Sequence, residues 1–225
     1  MLLSATVYAP LMLLTVILPF AARYRLISAW ARFQAFLLKH LCGLDYRVEG
    51  REHLPVGAAI ILSKHQSAWE TIVFQEIFPA QTWVLKRELL WIPLFGWALA
   101  LLRPIAIDRS AGRKAIEQVI EQGRERLQSG IWVVVFPEGT RVAPGTRKRY
   151  AMGGAILAAE TGYPVVPVAH NAGSFWLRRG FLKRPGTVRV VVGPVIDPRG
   201  QTAEAIIKQA EEWIENKMVE LEKTA

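Results

Sequence analysis

Cysteine is nearly absent: Cys42 stands alone among 225 residues, so neither an internal disulfide nor a cysteine-rich zinc site can form. That residue reads as a buried structural thiol, in keeping with a reducing compartment. The four histidines, His40, His53, His65 and His170, are scattered, with no HExxH pair and no i, i+4 spacing, so no metal is expected. The GxSxG, Walker A and GxGxxG patterns are missing, which argues against a serine hydrolase, a P-loop enzyme and a dinucleotide enzyme. Neither an internal repeat nor a low-complexity tract occurs, and no side chain before Arg23 is charged.

What is present is apolar and basic. With 52% hydrophobic residues the chain can bury one sizeable core, which predicts a single catalytic domain with an appended segment. A formal charge of +9 and eight tryptophans suit an anionic surface, either phospholipid headgroups or nucleic-acid phosphates. Residues 2–20 are dominated by Leu, Val, Ile and Ala, interrupted by Pro10 and Pro19, and Arg23 and Arg25 follow directly. That length suits a bilayer crossing, whereas the prolines suit a kinked segment dipping into one leaflet. Without a basic stretch ahead of it, it does not read as a signal peptide, and the basic side should stay cytoplasmic. Residues 26–44 continue apolar with Trp30, Arg32 and Lys39, as a helix lying in an interface would. The expectation is a two-helix membrane anchor over residues 1–44; the alternative is that both helices simply pack on the core.

From residue 45 to 225 the texture becomes α/β, with a mixed, largely parallel sheet flanked by helices. Candidate strands are 46–49, 58–62, 83–86, 105–108, 131–136, 165–168 and 188–192, most of them continuous runs suited to burial on both faces. Ser110 reads as the N-cap of a helix to Leu127, Thr202 as the N-cap of a long C-terminal helix, and Gly162 as the stop of a helix starting near Met152.

Two segments carry chemistry. In Ser63-Lys64-His65-Gln66-Ser67-Ala68-Trp69-Glu70 a buried strand runs into a polar turn. Five residues apart on one helix, His65 and Glu70 would lie about 140° apart; they meet only if His65 sits in the turn and Glu70 in the helix after it. A carboxylate there would fix the imidazole tautomer and leave the other nitrogen free to take a proton from an alcohol. Alternatively, Ser67-x-x-Glu70 is a capping box. In Val135-Phe136-Pro137-Glu138-Gly139-Thr140-Arg141 a second buried strand breaks into a carboxylate, a glycine that admits close approach and a guanidinium suited to phosphate. Alternatively, Glu138 and Arg141 form a surface ion pair of little weight.

Together these segments resemble the glycerophospholipid acyltransferase family. His65-Gln66-Ser67-Ala68-Trp69-Glu70 is similar to its HxxxxD block, with Glu70 in place of the usual aspartate, and Phe136-Pro137-Glu138-Gly139-Thr140-Arg141 matches its FPEGTR block. Lys86-Arg87-Glu88-Leu89 with Pro93, Gly96 and Ile107-Asp108-Arg109 looks like the second block, and Val165-Val166-Pro167-Val168 like the fourth. The short length, N-terminal helix pair and HQSxWET form are similar to bacterial members that acylate the 2-hydroxyl of 1-acyl-glycerol-3-phosphate, giving phosphatidic acid.

The resemblance implies a fatty acyl group moved from acyl-CoA or acyl carrier protein to a lysophospholipid, with no resident cofactor, at the cytoplasmic face of a bacterial inner membrane. Membrane lipids, not nucleic acid, are the implied partners. His65 is then the base and Glu70 its orienting acid. Lys86, Arg109 and Arg141 would gather the acceptor phosphate and Glu138 its glycerol, with Gly139 and Thr140 beside them. As alternatives, Lys86 and Arg109 are solvated cations, and the acceptor is a lyso-ornithine lipid, glycerol phosphate or lysocardiolipin. A non-enzymatic membrane binder is the rival of another class. Residues 89–102 would wall the acyl chain or form a buried helix, residues 175–184 read as a headgroup-touching loop or a solvated one, and Arg147-Lys148-Arg149 as a phosphate collector or a wet face.

Overall fold

The runs at 58–62, 131–136 and 165–168 have no polar face to give to water, and they form the middle of the sheet. The computed structural model describes residues 2–223, without the side chains of Leu2, Leu3 and Arg109. Its strands are β1 (Leu44–Glu49), β2 (Ile60–Ser63), β3 (Gln81–Lys86), β4 (Ile105–Ile107), β5 (Trp132–Val135), β6 (Val165–His170) and β7 (Gly186–Val192), in the spatial order β1-β7-β6-β2-β5-β3-β4. All neighbours are parallel except β6 and β7, so the sheet is mixed and largely parallel, as expected. β2 and β5 are buried at every residue because helices cover both faces.

The helices are α1 (Leu2–Leu13), α2 (Phe20–Cys42), α3 (Trp69–Ile77), α4 (Phe95–Ala100), α5 (Arg113–Gln128), α6 (Gly153–Thr161), α7 (Ala172–Phe175) and α8 (Ala203–Lys223). Thr202 caps α8 by accepting the Ala205 amide at 3.2 Å, and Gly162, at φ 73°, closes α6. Ser110 does not cap α5: the Asp108 carboxylate captures its amide and hydroxyl in a separate 3-10 turn, and the helix begins only at Arg113. Cys42 is half-buried at the end of α2.

The N-terminal pair of helices is present, with other boundaries. Leu18 precedes Pro19 and is extended, at φ −83° and ψ 149°, so the first apolar run ends there and α2 starts at Phe20. α1 has 12 residues, about 18 Å at ~1.5 Å each, against a hydrocarbon core of about 30 Å. α2 is longer, but it carries Arg23, Arg25, Arg32 and Lys39. Among the described residues no helix is long and apolar enough to cross a membrane, so the spanning alternative is not met. Instead α2 turns Tyr24, Ser28, Ala31, Gln34 and Leu38 inward, and its apolar members join the core. Ser4 of α1 is held by Trp30 and Gln34 of α2 at 3.3 and 3.0 Å. The outer side of α1 and the turn after it leaves Val7, Leu11, Leu14, Val16 and Ile17 exposed.

Residues 89–102 do not form one buried helix. They make a 3-10 turn and the short α4, packed on α1, with Trp91 and Trp97 more than half exposed.

On the edge where β2 and β5 end in step, Leu62 opposite Val135, the chain leaves one strand toward His65 and the other toward Glu138. α6 lies against this pair: a Cβ on Gly154 would sit 2.6 Å from Leu62 Cδ2 and 3.3 Å from Val135 Cβ. Gly154→Val is therefore expected to lower stability by about 1–3 kcal/mol through overpacking, while Gly153→Ala, whose Cβ meets nothing within 4 Å, leaves the urea midpoint unchanged or higher.

Candidate active site

β2 ends at Ser63 and α3 begins at Trp69, so His65 sits in the turn and Glu70 in the first turn of the helix. His65 Nδ1 lies 2.8 Å from Glu70 Oε1, and the same oxygen accepts the amides of Gln66 at 2.9 Å and Ser67 at 2.8 Å. A carboxylate oxygen only accepts, so Nδ1 carries the proton and Nε2 is the basic nitrogen. Only half of the capping box forms: Glu70 takes the Ser67 amide, but the Ser67 hydroxyl accepts the Trp69 amide at 3.2 Å, and Ala68, not Ser67, is the residue that precedes the helix as its N-cap. Burial pushes the Glu70 carboxyl up, but the hydrogen bond from His65 and that from the Ser67 amide outweigh it, and its pKa lies below the ordinary carboxylate value.

His170 ends β6 and is fully buried. Its Nδ1 accepts the Ala172 amide at 3.3 Å, so Nε2 carries the hydrogen and donates to the Lys64 carbonyl at 2.9 Å. Burial lowers its pKa despite the nearby Glu70, so the ring is a neutral brace behind the turn.

The other wall comes from the strand break after β5. The Phe136 ring stacks on His65 with centroids 4.0 Å apart and planes 15° apart. Glu138 Oε2 accepts the His65 amide at 2.8 Å, and its Oε1 lies 2.7 Å from Lys64 Nζ. Lys64 is buried and also meets Glu215 of α8 at 2.8 Å and the Thr146 carbonyl at 3.2 Å. Tyr150 donates to Glu215 at 2.9 Å; burial and that carboxylate push its phenol well above the usual value, so it remains a donor. Burial likewise pushes the Glu138 carboxyl up, against the pull of Lys64 and the His65 amide. The Val142 amide donates to the His65 carbonyl at 2.8 Å, closing the loop after Arg141 onto the histidine turn. α8 holds the far side, with Glu222 taking Gln66 Nε2 at 3.1 Å and the Gly145 amide at 2.9 Å.

Beside Phe136 opens a cavity of about 320 Å³ between the sheet, α5 and the start of α6, lined by Val84, Ile107, Ile116, Val119, Phe136 and Met152 among others. Gly139, at φ 68°, is on its wall. His65, Glu70, Glu138, Gly139, Thr140 and Arg141 thus gather in two touching turns. Lys86 is exposed at the end of β3, with β5 between it and the strand that delivers His65. The Arg109 side chain lies outside the described residues. Glu138 does not face solvent: it belongs to Lys64 and the His65 amide, so a surface ion pair with Arg141 is not formed. Sequence reasoning missed Lys64, Glu215, Tyr150 and His170; the one local signal was a lysine directly after the end of a buried strand. Arg147, from the basic run, reaches Glu215 at 3.4 Å.

Glu70→Gln keeps an oxygen for all three donors but removes the charge, so kcat should fall at least about a hundredfold. The folded-state value of Glu70 is depressed, so its stabilisation is full above 4.5 and is lost as pH falls through the lower folded value. Acid unfolding of Glu70→Gln should accordingly be less steep than that of the parent, as followed by circular dichroism. Lys64→Met strands two buried carboxylates and should cost about 3–5 kcal/mol in urea unfolding.

Comparisons with known proteins meet this geometry. The family model described as Acyltransferase matches residues 45–171, the stretch holding both turns. The chain is 47% identical over 209 residues to a 1-acyl-sn-glycerol-3-phosphate acyltransferase of Pseudomonas aeruginosa, covering 91% of this chain and 81% of that one. It is 30% identical to the enzyme of that name from Limnanthes alba, over 91% of this chain and 73% of the other. The crystal structure of the 1-acyl-sn-glycerophosphate acyltransferase from Thermotoga maritima superposes with a TM-score of 0.78 at 25% identity, covering 96% of this chain and 91% of that one. The match over residues 45–171, together with that 47% identity, shows that this chain belongs to the acyltransferase family.

Proposed function

We propose that the chain acylates the 2-hydroxyl of 1-acyl-glycerol-3-phosphate, giving phosphatidic acid for phospholipid synthesis, with acyl-CoA or acyl carrier protein as donor. The observation that carries the chemistry is the Nδ1 bond of His65 to a buried carboxylate, beside an apolar cavity. The acceptor comes from relatives named for 1-acyl-sn-glycerol-3-phosphate.

His65 Nε2 takes the proton of the acceptor hydroxyl as that oxygen attacks the thioester carbonyl. The new carbon–oxygen bond forms, the carbon–sulfur bond breaks, and the imidazolium returns the proton to the departing thiolate. Glu70 stabilises the imidazolium and keeps the ring from turning. The amides of His65, Gln66 and Ser67 already donate to carboxylates and that of Gly139 to the Phe136 carbonyl, which supports assigning the oxyanion to the Thr140 and Arg141 stretch. Arg141, Lys86 and Arg109 take the acceptor phosphate in this reading, and the fatty chain enters the cavity beside Phe136. Glu138 serves as a positioning residue for His65, in place of the glycerol contact that the resemblance implied. Every step rests on side chains and the thioester, so the reading calls on no resident cofactor or metal.

The same reading places the enzyme on the cytoplasmic face of the bacterial inner membrane, with α1 and the turn after it dipping into one leaflet and the cations of α2 at headgroup level.

In an assay with purified protein, lysophosphatidate should be acylated faster than a lyso-ornithine lipid, glycerol phosphate or lysocardiolipin; preference for one of these would replace the acceptor. His65→Ala should lose at least about a thousandfold in kcat while keeping its fold and its binding to vesicles. Arg141→Ala and Lys86→Ala should each raise KM for the acceptor about tenfold, the size of one charged phosphate contact.

A further inference from the structure

From residue 161 to 196 the chain has no acidic side chain, yet it carries Arg178, Arg179, Lys183, Arg184 and Arg189. Arg189 is used inside the fold, paired with Glu49. The other four flank the tip of one loop between α7 and β7. At that tip Phe181 is 89% and Leu182 80% exposed, and Leu177 beside them is 47% exposed.

The loop has a built frame. Trp176 is buried at its base and donates Nε1 to the Gly180 carbonyl at 3.0 Å; the Gly180 amide returns to the Leu177 carbonyl at 2.9 Å, and the Arg184 amide closes on the Phe175 carbonyl at 2.8 Å. Lys183 lies 4.6 Å from the Trp176 ring and 5.2 Å from that of Phe181. These contacts hold an apolar tip away from the core, with cations on both sides of it. Such a surface complements an anionic lipid leaflet, where Phe and Leu enter the acyl boundary while Lys and Arg stems extend to the phosphates.

Its position ties it to the site. Arg178 Nη1 donates to the Arg141 carbonyl at 3.1 Å. The base of the loop meets the end of α2, where the Gly186 amide donates to the Gly43 carbonyl at 2.9 Å and Leu41 is exposed.

We propose that residues 177–184 are a second bilayer contact, separate from the N-terminal helices, which seats the Arg141 turn at the headgroup plane of an anionic leaflet. The proposal rests on the membrane reading given under the proposed function and adds the surface that sets the orientation of the site. An acidic carrier protein would meet the cations too, but it offers no hydrocarbon for Phe181 and Leu182.

The test is made on the full chain with Cys42→Ala and Phe181→Cys, labelled at position 181 with a polarity-sensitive fluorophore. Adding vesicles of mixed phosphatidylglycerol and phosphatidylcholine should shift the emission to the blue, with pure phosphatidylcholine giving much less. Separately, Phe181→Ser with Leu182→Ser in the unlabelled chain should weaken vesicle partitioning about tenfold and lower turnover on vesicle-borne acceptor relative to turnover on a dissolved short-chain acceptor. Unchanged emission while the protein sediments with the vesicles would overturn the loop contact and leave the N-terminal anchor standing. No sedimentation at all would overturn both, and a shift produced by an acidic carrier protein but not by vesicles would replace the bilayer as partner.

Discussion

One oxygen atom organises the catalytic turn. Glu70 Oε1 receives the His65 imidazole, the Gln66 amide and the Ser67 amide together. The backbone bonds fix the carboxylate at the start of α3, and the carboxylate in turn fixes the ring. Burial makes this costly to form and correspondingly hard to distort, because each group would be left without water if it let go. A base placed this way needs no reorganisation when the hydroxyl arrives.

The second constraint is a charge buried next to the first. Lys64 is the residue before the base, and it is neutralised by Glu138 from the turn after β5 and Glu215 from the C-terminal helix. Ion pairs of this depth contribute little net stability relative to an apolar substitute, yet they penalise every arrangement that separates the partners. Their value here is register. Glu138 also holds the His65 amide, so the FPEGTR turn, the histidine turn and α8 keep one mutual position. Segments far apart in the chain thus meet at a site that none could build alone.

Much of this was legible before any coordinates. The seven strands follow from apolar runs that only a covered sheet can accommodate, although β3 starts earlier, at Gln81, and β6 runs on to His170, because buried polar residues carry no apolar signal. The offset of His65 from Glu70 sufficed to place one in a turn and the other in a helix. Catalyst and capping box looked like rivals because spacing cannot reveal that one oxygen takes both the imidazole and the Ser67 amide. The Lys64 and Glu215 pair was out of reach: they stand 151 residues apart, and nothing local marks them as partners. Ser110 failed as a cap because Asp108, two residues earlier, offered a better acceptor. The split of the first apolar run was written in Pro19, which forces Leu18 out of the helix.

The membrane side follows the same economy of surfaces. Apolar side chains left outward on α1, α4 and the loop before β7 cost the protein hydration that a lipid leaflet would relieve, and cations border several of them.

The tautomer of His65 is the most direct measure of the account. Nitrogen-15 NMR of histidine-labelled protein at alkaline pH should show the hydrogen on Nδ1 and a bare Nε2. A hydrogen on Nε2 would mean that the carboxylate does not hold the ring, and His65 could not act as the base described.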